Sequence, residues 1–79
     1  MTARHEQLFW WIYHYHRAKG FYPAQLEMIE GINCGMTTLT RLLAQLEATG
    51  YIERAPGRWR NVRIIKMMGA QHEQTPIRP

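Results

Sequence analysis

The sequence predicts a mainly α domain with a small β-hairpin, and three observations carry that prediction. Apolar residues recur at helical spacing in three separate stretches. Glycines stand just past the first and third of these, where helices end. A fourth stretch changes to strand chemistry on either side of a Pro-Gly pair. With 79 residues and a hydrophobic fraction of 46%, the chain suits one domain around one core. We place that domain at 1–68 and read 69–79 as a flexible tail. The tail has two prolines, few apolar residues and no periodicity.

The first helix is expected over 2–19, with Thr2 as N-cap and Gly20 as C-cap. Leu8, Ile12 and Tyr15 form its apolar stripe, widened by Phe9 and Trp11. Glu6, Gln7, Tyr13, His14 and Arg17 fall on the opposite side. Pro23 suits the first turn of a second helix, since its missing N–H needs no partner there. That helix is expected to end near Glu30, with Leu26, Met28 and Ile29 as its apolar positions. Gly31 to Gly35 has turn composition, with Ile32 pointing inward. Thr37 is the expected N-cap of a third helix. Its buried stripe is Leu39, Leu42, Leu43 and Leu46, and Gly50 closes it. Residues 51–54 and 61–65 read as strands joined by a turn that contains Pro56 and Gly57. Three helices followed by a two- or three-stranded wing make a winged helix-turn-helix.

Charge gives the first indication of a partner. The chain carries a formal net charge of +4. Residues 51–66 hold Arg54, Arg58, Arg60, Arg63 and Lys66 against Glu53 alone, so this one segment accounts for the whole excess. A basic patch on one element is the electrostatic footprint of a phosphate-backbone binder. A charged, solvated hairpin is the alternative. Arginine dominates the segment, which favours planar contact with phosphate or base edges.

Other classes find little support. Cys34 is the only cysteine, so neither an internal disulfide nor a Cys-based zinc site is expected. His14 and His16 point to different sides of the first helix and cannot share a metal ion. No catalytic constellation or phosphate-cradling glycine loop occurs, so we expect neither an enzyme nor a cofactor. No stretch has signal-peptide form or membrane-spanning length, and a cytoplasmic protein is expected.

The ordered series Thr2-Ala3-Arg4, Leu8-Phe9, Ile12, Gly20, Pro23, Leu43, Leu46-Glu47 and Gly50-Tyr51-Ile52-Glu53 resembles the DNA-binding domain of the LexA repressors. The resemblance covers about residues 2–66. It implies a transcriptional regulator of chromosomal, plasmid or phage type that binds double-stranded DNA. Its third helix would enter the major groove and its wing would touch the backbone. Carried over by position, Thr37, Thr38, Thr40 and Arg41 would face base edges. Arginine can bond bidentately to guanine, and a threonine methyl can pack on thymine. Arg54, Arg58, Arg60 and Arg63 would hold phosphates, with Trp59 either against a sugar or packed beneath the wing. Arg4 would add a flanking contact.

The sequence departs from the family in three places. The segment between the second and third helices is about one residue shorter. Ala24 replaces the threonine that follows the proline. The repressor's peptidase domain, with its serine and lysine, has no counterpart here, so cleavage-controlled repression is not expected.

Trp10 and Tyr13 lie one turn apart on the first helix, outside its main stripe. They form a candidate face for a homodimer or protein partner, or else Trp10 folds over the edge of the core. A winged-helix protein-interaction module is therefore the alternative function, and a structured RNA is a further possible ligand.

Overall fold

The computed structural model describes residues 3–55 and 60–68. Thr2, the hairpin tip with Arg58 and Trp59, and the tail at 69–79 lie outside them. The elements follow the order α1 (Ala3–Lys19), α2 (Gln25–Ile32), α3 (Met36–Ala48), β1 (Ile52–Arg54) and β2 (Val62–Ile64). The strands pair antiparallel, with Ile52 opposite Ile64, Glu53 opposite Arg63 and Arg54 opposite Val62. The molecule is thus mainly helical with a two-stranded antiparallel hairpin, a small winged-helix-like fold.

Every element contributes to one core. Leu8, Phe9 and Ile12 come from α1, and Met28 and Ile32 from α2. The four leucines of α3 join them, with Ile52, Val62 and Met68 closing the hairpin side. Leu26 does not take part: it is 58% exposed, because the inward face of α2 runs through Met28 and Ile32.

Both short-helix boundaries differ from the sequence expectation. Pro23 is buried but precedes the helix, and Ala24 is the N-cap of α2. Alanine has no capping acceptor, so Glu27 caps in reverse: its Oε1 accepts the Ala24 N–H at 2.8 Å. The helix then continues through Gly31 and Ile32, which had turn composition. Gly31 leaves room for Trp11 of α1, which lies against it. A Cβ there would fall 2.1–2.5 Å from indole atoms. The actual turn is Asn33-Cys34-Gly35, with Asn33 left-handed at φ 56°. Gly35, not Thr37, is the N-cap of α3, so Thr37 sits within its first turn.

The end of α3 is closed as the sequence suggests. Gly50 takes φ 86°, its N–H bonds the Glu47 carbonyl, and the Tyr51 N–H bonds the Leu46 carbonyl. That pair of bonds is a Schellman motif. Lys66 adds a cation where the helix dipole is negative: its Nζ reaches the Thr49 carbonyl at 3.4 Å.

Candidate nucleic-acid interface

The leucine stripe of α3 fixes which residues face outward. Burying Leu39, Leu42, Leu43 and Leu46 leaves Thr37, Thr40 and Arg41 exposed. These three are spaced three and four apart, so they share one stripe that continues through Ala44. Thr38 is half-buried and lies to the side of it. Of the four residues expected at base edges, the structure brings three onto a common face.

That face is braced from behind. The Arg4 guanidinium does not project outward as a flanking contact. Its Nη1 donates to the Ile32 carbonyl at 3.0 Å and its Nη2 to the Asn33 carbonyl at 3.4 Å. A cation there satisfies the carbonyl end of α2 and ties α1 to the turn before α3. His5, on the next position, is buried, and burial pushes its pKa below the ordinary 6.5. The charge of Arg41 acts in the same direction.

The hairpin arginines have a different environment. Arg54 directs Nε and Nη2 at Glu47 Oε1 of α3, at 3.1 and 2.9 Å. Arg63 pairs with Glu53 directly across the ladder. Arg60 is the most restrained. It grips both carboxylate oxygens of Glu27 at 2.6 and 3.2 Å, and donates to the Tyr22 carbonyl at 3.0 Å. The Tyr15 hydroxyl lies 3.5 Å away, and the guanidinium stacks over the Phe21 ring at 4.5 Å from its centroid. The hydrogen bond from Arg60, then the one from the Ala24 N–H, holds the Glu27 carboxyl down at a pKa of about 2. Arg60 is raised in return. This is the fork geometry that makes arginine–carboxylate pairs specific.

No protein-family model matches this chain, and no curated protein matches it. The chemistry is therefore read from the side chains alone. The charge concentrated in the hairpin sequence is partly neutralised in space, since Glu27 and Glu47 come from other elements. Arg41 is the contrasting case, because no salt bridge among the described residues uses it. Arg58 and Trp59, expected on the wing tip, fall outside the described residues.

Trp10 and Tyr13 are half-buried. Trp10 packs edge-on against the buried Phe9 at 5.0 Å, and Tyr13 meets Trp10 edge-to-face at 5.3 Å. Among the described residues, no three His, Cys, Asp or Glu side chains converge to hold a metal ion. Nor is any described helix long and apolar enough to cross a membrane.

Sequence reasoning missed Glu27, and it read Arg4 as a DNA contact and Lys66 as part of the basic segment, not as groups that bond helix-end carbonyls. Glu27 had a local signal, standing three positions after the N-cap where a capping-box acid belongs. Arg4 and Lys66 had none, because each acts on a carbonyl of a distant helix end.

Proposed function

We propose that the protein is a small DNA-binding transcriptional regulator of the cytoplasm. In this reading α3 enters the major groove, and the hairpin rests on the phosphate backbone. The observation that carries it is the outward stripe Thr37, Thr40 and Arg41, with an arginine that no described acid neutralises. Arg41 is the residue for guanine, and the threonines suit thymine methyls or flanking phosphates. Arg63 is the best-placed hairpin cation for phosphate. Its pair with Glu53 is solvent-exposed, and pairs of that kind contribute only ~0–1 kcal/mol. A phosphate can therefore displace Glu53 cheaply. Arg60 is assigned to holding the wing rather than the DNA. One such module buries roughly 600–1,000 Å² on DNA, so affinity calls for two copies or adjacent sites.

The ion pairs of Arg54, Arg60 and Arg63 favour a second reading, a protein-interaction module without sequence preference. Selection of bound duplexes from a random pool, run at two salt concentrations, separates the two. The regulator reading expects an enriched motif. It also expects Arg41→Ala to lose about 1–3 kcal/mol of discrimination at one base position, with an unchanged melting temperature. An unenriched pool, together with equal binding by wild type and Arg41→Ala, eliminates sequence-specific regulation.

A further inference from the structure

Away from its most deeply buried face, α1 carries Glu6, Trp10 and Tyr13, all half-buried, and the exposed Arg17, spaced four, three and four apart. At 3.6 residues per turn these four fall on one narrow stripe, with the spacing of a two-heptad coiled-coil seam. The stripe lies away from the buried Leu8 and Ile12. It is also organised in advance. Trp10 is set by its contact with Phe9, and Tyr13 by its contact with Trp10. Arg17 Nη1 donates to the Tyr13 hydroxyl at 3.0 Å, and its guanidinium lies 5.7 Å from the ring centroid. None of the three salt bridges among the described residues uses Glu6 or Arg17.

We infer that this stripe docks a second copy of the chain, with the two α1 helices packed antiparallel. The charge order argues for that occupant. When a second α1 is laid antiparallel and centred between Trp11 and Ile12, Trp10 meets Tyr13 of the other copy, and Glu6 meets its Arg17. Each contact then occurs twice, as a two-fold interface requires. The aromatic pairs form the middle and the ion pairs the rim, the usual division in protein interfaces. A polyanion or an acidic peptide fits poorly, because Glu6 would repel it and the stripe as a whole is neutral. One helix pair buries little area, and interfaces below about 1,200 Å² are weak. The dimer is accordingly concentration-dependent. This inference stands whether or not α3 binds DNA.

The test is a charge swap in the full chain, read by sedimentation over a concentration series. Wild type should pass from monomer to dimer. Glu6→Arg and Arg17→Glu should each weaken the dimer by about ten-fold or more, since each homodimer then sets like charges together. Mixing the two variants should restore association, because both ion pairs re-form in the mixed dimer. The doubly swapped chain should dimerise alone. Melting curves of each variant, and rescue on mixing, exclude simple unfolding. A wild type that stays monomeric overturns the inference. So does a dimer indifferent to both swaps, or one that mixing fails to restore.

Discussion

Arg60 in the hairpin and Arg41 on α3 are the same side chain in opposite surroundings. Arg60 is forked onto Glu27, bonded to a carbonyl and covered by Phe21. Arg41 is exposed on a helix whose neighbours along the stripe are threonines and an alanine. In the chain the hairpin looks like the charged element and α3 looks nearly neutral. In the fold the acids come to the hairpin, and α3 retains its cation. Charge clustered along a sequence is therefore a poor map of charge available to a ligand. An available cation is one that the packing leaves without a carboxylate, as Arg41 is among the described residues.

The sharpest way to break this contrast is to move the turn that presents α3. Gly31 lets α2 lie against Trp11, and α2 leads directly into the Asn33–Gly35 turn. Gly31→Ala places a Cβ within 2.1 Å of the indole, so Trp11 or the helix must shift. Overpacking of this kind costs about 1–3 kcal/mol. Set against the roughly 1 kcal/mol that alanine gains in helix propensity, the net loss is up to about 2 kcal/mol. The melting temperature should drop, by about 4–8 °C for each kcal/mol of net loss in a domain of this size. Adding Trp11→Leu should recover part of the loss. A melting temperature that rises in Gly31→Ala would remove the close packing from the account.

The next effect concerns the Arg60 clamp. Glu27→Ala should destabilise more than Arg60→Ala, because Glu27 also accepts the Ala24 N–H. Neither change should alter base preference. The pH dependence has a definite sign. Below pH 6.5 the unfolded chain takes up a proton that buried His5 resists, so stability declines. Between about pH 4.5 and 2 the unfolded Glu27 is protonated while the folded carboxylate stays charged, and stability declines again. Melting temperature against pH should lose the second decline in Glu27→Gln. If Glu27→Gln instead follows the wild-type curve throughout, Glu27 is not the group responsible.

The elements were legible in the sequence, and the pairings were not. Helical spacing located α1, α2 and α3, because burial of one face imposes that period, and strand chemistry on either side of the Pro56-Gly57 turn located both strands. Gly31 was misleading: glycine marks turns by its backbone freedom, whereas here it makes room for Trp11. Thr37, Thr38, Thr40 and Arg41 were expected together at base edges from the resemblance; the fold leaves Thr37, Thr40 and Arg41 exposed and Thr38 half-buried. The restraint on Arg60 was not legible, since Glu27 lies 33 residues away and only the docking of the hairpin beside α2 joins them. The resemblance pointed to the arginines of the wing as a group. It gave no means of separating those that clamp from those left for a partner.

The smallest effect tests that separation most directly. Arg63→Ala removes an exposed, screened pair, so the melting temperature should hardly move. If Arg63 meets phosphate, the log–log slope of duplex affinity against salt should shrink by about 0.9, the contribution of one neutralised phosphate. Arg60→Ala, compared by the same titration at a temperature where it is fully folded, should leave the slope unchanged. Its guanidinium is already held by Glu27 and the Tyr22 carbonyl in the free protein. Equal losses of slope in both variants would mean that Arg60 leaves the carboxylate when a duplex arrives. The clamp would then be a reserve of charge, and the contrast with Arg41 would hold only for the free protein.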